Sequence, residues 1–174
     1  LAAPPGLPLL AISIYSAALC GLLGVSALYH RVRWTPRKRV WVRRLDHAMI
    51  FTLIAGTYTP FSLIALDDPI GRLTLILIWL AALIGTAAKL WWIHAPDWLA
   101  AAIYVAAGCL IAPALPALTQ ALGPLPVALF VLGGAIYLIG ALIFSLQWPD
   151  PDPSVFGYHE IFHVCVIAAA TLHF

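Results

Sequence analysis

Residues 125–147 read LPVALFVLGGAIYLIGALIFSLQ, with no Asp, Glu, Lys, Arg or His among them. A helix rises about 1.5 Å per residue, so crossing a hydrocarbon core about 30 Å thick takes roughly 20 apolar residues. This stretch meets that requirement, and five more runs of the same character lie at 8–30, 46–66, 72–91, 98–118 and 159–174. Together they predict an all-α, polytopic transmembrane helix bundle with six visible spans and one domain over residues 1–174, because the breaks between spans are too short to separate two bodies. The breaks carry turn and helix-stop residues: Asp67-Asp68-Pro69, His94-Ala95-Pro96-Asp97, Gly123-Pro124 and the repeat from Pro149 to Pro153. Pro60, Pro113 and Pro116 fall inside apolar runs, where they read as kinks.

Composition agrees. Of the 174 residues 63% are hydrophobic and 9% charged, and the mean hydropathy is +0.99, against about a quarter charged residues in a soluble domain. Such a chain has too little polar surface to face water, which excludes a soluble globular domain, a disordered segment and a nucleic-acid binder. The net charge is only +2, yet seven of the nine basic residues (Arg31, Arg33, Arg37, Lys38, Arg39, Arg43, Arg44) fall between positions 31 and 44. Short cytoplasmic loops are enriched in Lys and Arg, so 31–45 is expected inside, and threading outward puts 92–97 and 148–158 inside with 67–71 and 119–124 outside. Most of the Trp residues gather near span ends, as an interfacial belt requires. Cys20, Cys109 and Cys165 sit in separate apolar runs, so no disulfide framework is expected and all three read as buried small hydrophobes. Leu1 to Pro8 lack a basic n-region and a cleavage pattern, which argues against a cleaved leader; without an initiating Met the chain reads as a fragment.

Polar and ionisable groups inside spans are costly and usually functional. Here they are few: Ser26 and His30 close the first run, Asp46 opens the second, and His159, Glu160 and His163 open the last. Threading the spans brings all three places to the cytoplasmic face. Ser26 and His30, like His159 and His163, are four residues apart and share a helix face. Three imidazoles and a carboxylate from three helices can thus converge, as a three-His zinc site with an open fourth position needs. Plainer readings stand beside this one. A single interfacial His such as His30 is commonly an amphipathic headgroup residue, and Asp46 by itself reads as a helix cap or dipole partner. His47 and His94 read as solvated or interfacial, and His173, ten residues beyond His163, is too distant to share the metal. The stretch His159-Glu160-Ile161-Phe162-His163 also fits H-E-x-x-H, in which Glu160 would be the general base of a metalloprotease.

These residues resemble the hemolysin III family, the bacterial branch of the progestin and adiponectin receptor superfamily. The match is carried by SALYH at 26–30, RLDHAMIFTLIAGTYTPF at 44–61, FGYHEIFH at 156–163 and LHF at 172–174. The resemblance implies a seven-helix membrane fold with its amino terminus and a zinc site toward the cytoplasm, in a bacterial inner membrane. The family's three metal-binding histidines correspond to His30, His159 and His163, its metal-proximal aspartate to Asp46, and its serine to Ser26. The first visible span already holds the family's second-helix motif, so the family's first helix is expected to be missing. The implied activities are a zinc-dependent hydrolase of ceramide-like lipid amides acting in membrane homeostasis, a receptor with a structural zinc, or a haemolytic pore. Membrane lipids are the expected partners; the sequence leaves the oligomeric state open.

Overall fold

The computed structural model describes residues 6–66, 69–92 and 96–174. Its helices are α1 (Leu7–Arg31), α2 (Pro36–Pro60), α3 (Pro69–Trp91), α4 (Asp97–Gly108), α5 (Leu115–Leu122), α6 (Pro124–Leu146) and α7 (Tyr158–His173), and no strand is formed among the described residues. Asp67, Asp68, Ile93, His94, Ala95 and the first five residues lie outside the described residues.

The apolar run at 98–118 is one crossing made of three pieces. Between α4 and α5 the chain tightens into a 3₁₀ segment, Cys109–Ala114, because Pro113 and Pro116 withdraw two amide donors that an α-helix would need. Pro60 has a related effect at the end of α2, which passes into a π-helical turn over Phe61–Ala65. α2 also begins ten residues before the apolar run at 46–66, at Pro36. The basic residues between 37 and 44 are good helix formers, and a helix whose first turns are charged projects beyond the lipid at no cost in desolvation. The connection between α1 and α2 is therefore only residues 32–35.

Among the described residues, five segments are long and apolar enough to cross a membrane. α7, with 16 residues, spans about 24 Å at 1.5 Å per residue. The outward faces are apolar: Leu83 is 64% exposed, Ile84 70% and Leu125 69%, a pattern that suits lipid and would be untenable in water. Cys20 and Cys109 are also outward-facing, and Cys165 is half-buried. The expectation of three core cysteines is corrected: with hydrocarbon as solvent, a thiol gains little by leaving the surface.

Helices approach closely where small residues meet, the usual device in lipid. A methyl on Gly56 of α2 would run into Ala18 of α1, and one on Gly140 of α6 into Cys165 of α7. One core cluster joins Phe51, Tyr58, Ile78, Ile111, Leu118 and Phe130. A second joins Tyr15, Ala18 and Leu22 of α1 to Leu53 of α2 and Val166 of α7. The Tyr15 hydroxyl donates to the Ala170 carbonyl at 2.8 Å, tying α1 to α7. This brings the far end of α1 beside the start of α7.

Candidate metal centre

The last turn of α1 holds His30, and the first two turns of α7 hold His159 and His163. α7 starts where it does because two carboxylates satisfy backbone amides there. Glu160 Oε2 accepts from the Gly157 N–H at 2.9 Å, and Asp150 Oδ1 accepts from the Tyr158 N–H at 3.1 Å, both otherwise orphan donors at a helix start. In the preceding loop the Ser154 hydroxyl donates to Asp152 at 2.7 Å. That bond, with the Ser154 N–H, holds the Asp152 carboxyl below its usual range.

The three imidazoles converge on their Nε2 atoms. His159 Nε2 lies 3.3 Å from that of His30 and 3.0 Å from that of His163, and the three candidate ligand atoms fall within 4.8 Å of one another. Tetrahedral bonding at about 2.0–2.1 Å would set nitrogens roughly 3.3 Å apart. Neutral imidazole nitrogens suit zinc better than magnesium or calcium, which prefer oxygen. The donor set fits a zinc ion, and so do the two spacings through His159; the His30–His163 pair, at up to 4.8 Å, would have to draw closer to share one ion. Phe144 and Phe162 pack along His159, with ring centroids 5.6 and 6.4 Å away, giving the cluster an apolar wall. A cavity of about 290 Å³, lined by His30, His159, Tyr158 and Glu160 among others, opens beside it.

Asp46 sits near the middle of α2 and is half-buried. Its carboxylate is within hydrogen-bonding reach of Ser26 and within electrostatic reach of His30. Ser26 is thus turned toward Asp46. Glu160, by contrast, is exposed and engaged with Gly157, so its carboxylate is occupied in starting α7.

One of the two other described histidines departs from its expected setting. His47 is half-buried, with Nδ1 enclosed and without a hydrogen-bond partner among the described residues, so the solvated setting is corrected. His173 stays out of the cluster, as its distance requires; its Nε2 lies 2.9 Å from the Phe130 carbonyl and its ring stacks on Phe130. Lys89 and Tyr104 carried no mark as site residues in the sequence. Lys89 is only 7% exposed and lies 5.8 Å from the Tyr104 ring, whose hydroxyl donates to the His47 carbonyl at 3.1 Å. A Lys at the end of an apolar run ordinarily snorkels outward, so nothing local distinguishes this one.

Fold and site together define a polytopic helical membrane protein with a histidine cluster where α1 meets α7. The family described as Haemolysin-III related matches residues 3–174, and the chain belongs to it. Hemolysin-3 of Bacillus cereus is 32% identical over 164 residues, 94% of this chain and 72% of that protein. The Hemolysin-3 homolog of Bacillus subtilis (strain 168) is 28% identical over 95% of this chain and 75% of its own. The human monocyte to macrophage differentiation factor is 26% identical over 92% of this chain and 66% of its own. No solved structure matches significantly.

Proposed function

We propose that this chain is a zinc-dependent hydrolase of ceramide-like lipid amides in the bacterial inner membrane, with His30, His159 and His163 holding the metal near the cytoplasmic face. The observation that carries the reading is the convergence of three Nε2 atoms, 3.3 and 3.0 Å apart in successive pairs, from two helices. A zinc ion so held would supply a Lewis acid that polarises the amide carbonyl and activates water near neutral pH. Asp46 accepts the attacking water's proton and delivers it to the departing amine as the C–N bond breaks and a C–O bond forms. Ser26, beside the Asp46 carboxylate, orients that base; its alternative use is as a donor to the developing oxyanion.

A metalloprotease with Glu160 as base is less well supported, since that carboxylate accepts from Gly157. A pore made by one chain is also less well supported. The buried hydroxyls of Thr57 and Thr59 are spent on the carbonyls of Leu53 and Ala55. A zinc that only clamps α1 to α7 is the remaining rival, with Asp46 and Ser26 steadying the ligands.

Purified protein supplied with ceramides of varied chain length separates these readings. Asp46→Asn should abolish amide hydrolysis while zinc stays bound. Absence of hydrolysis in both forms would leave the clamp, and loss of turnover in Glu160→Gln with Asp46→Asn active would favour the protease-like base. Leakage of liposomes by the pure protein would favour the pore.

A further inference from the structure

Next to the histidine cluster, and sharing His30 with the cavity already described, lies a second cavity of about 430 Å³. Its walls come from the end of α1, the four-residue connection and the start of α2, and include Tyr29, His30, Arg31, Arg33, Trp34 and Arg39. Three arginines line one concavity, and no carboxylate residue is among its described walls. Two of the walls are held in place. The Trp34 indole N–H donates to the Leu28 carbonyl at 2.9 Å, fixing the connection against α1. The Arg39 guanidinium lies over the Tyr29 ring, 5.8 Å from its centroid, a cation–π contact that steadies the side chain.

Like charges gathered in a fixed concavity repel one another, and an anion relieves that repulsion. Guanidinium forks match the paired oxygens of a phosphate. The cavity lies where the helices leave the apolar region, flanked by a Trp and a Tyr of the kind that sit at headgroup level. We infer that this cavity seats the phosphate of an anionic phospholipid headgroup, independently of whether the histidine cluster holds metal or performs hydrolysis. A zwitterionic phosphocholine would bring a quaternary ammonium toward three arginines, so the seat discriminates against it.

The test uses the full chain in neutral detergent, titrated with phosphatidylglycerol or phosphatidylcholine, with bound lipid counted by native mass spectrometry. Phosphatidylglycerol should be retained in preference. Arg33→Gln/Arg39→Gln should lower its retention by roughly tenfold or more. Arg37→Gln/Lys38→Gln removes the same charge from the same segment but from outside the cavity, and should change retention by less than about threefold. Each variant is first checked for an unchanged helical spectrum and a monodisperse profile; if the Gln pair does not fold, Arg33→Lys/Arg39→Lys, which keeps the charge and removes the fork, should still weaken retention. Equal losses from the two Gln pairs, or equal retention of the two lipids, would overturn the inference. Displacement of phosphatidylglycerol by millimolar inorganic phosphate would also overturn it, assigning the cavity to a soluble anion.

Discussion

Gly140 of α6 is the point where the position of α7, and with it two of the three histidines, depends on the absence of a methyl group. A Cβ built there would lie 2.9 Å from the Cys165 Cβ and 3.4 Å from Phe162 Cδ2. Carbon atoms rest at about 3.5–4.0 Å, so Gly140→Ala must open the α6–α7 seam by roughly 0.6–1.1 Å against the first contact. Overpacking of this kind costs about 1–3 kcal/mol, while replacing Gly by Ala in a helix returns about 0.8–1 kcal/mol. The clash should win, with a net loss of about 1 kcal/mol. A double-mutant cycle removes the propensity contribution. Because the obstacle is the Cβ of residue 165, Cys165→Gly should rescue Gly140→Ala with a coupling of about 1–2 kcal/mol, whereas Cys165→Ala should not. Unfolding from mixed micelles by SDS, followed by circular dichroism, reads the stability of all the variants. Equal coupling with Ala and Gly at 165, or no loss in Gly140→Ala, would refute the packing argument.

Other outcomes follow from the same contacts. Tyr15→Phe removes the bond to the Ala170 carbonyl, but that carbonyl still accepts from the Phe174 N–H; the loss should be near the roughly 0.6 kcal/mol typical between membrane helices, and a loss above about 2 kcal/mol in the SDS assay would mean the α1–α7 seam is held differently. With Cys20, Cys109 and Cys165 replaced by Ala, Trp34→Cys should react with an impermeant thiol reagent only after cells are opened; labelling of intact cells would reverse the orientation. Glu160→Ala, which removes the acceptor for the Gly157 N–H, should weaken the start of α7 by about 0.5–2 kcal/mol in the SDS assay and leave zinc content unchanged; loss of the metal would assign Glu160 to the site.

The bundle was legible because hydropathy registers what lies in lipid. For the same reason it could not locate the start of α2, whose first turns carry Arg37, Lys38 and Arg39 beyond the apolar run, or the division of 98–118 at its prolines. The histidines were legible as a set because alternating spans return the ends of α1 and the start of α7 to one face. Their Nε2 spacing was not, since it depends on how α1 and α7 pack, through Tyr15, Val166 and Ala170. Nor could i, i+4 spacing reveal that Ser26 would turn to Asp46, a residue on another helix. Lys89 and Tyr104 escaped notice because one stands at a run end and the other within an apolar run, where neither residue type is unusual.

Zinc stoichiometry of the purified chain tests the central claim most directly. Elemental analysis after exposure to zinc and removal of excess metal should find one zinc per chain in the native protein and in Cys165→Ala, with strongly reduced zinc in His30→Ala and in His159→Ala/His163→Ala. Undiminished zinc in the His159→Ala/His163→Ala variant, or no retained zinc in the native chain, would contradict it.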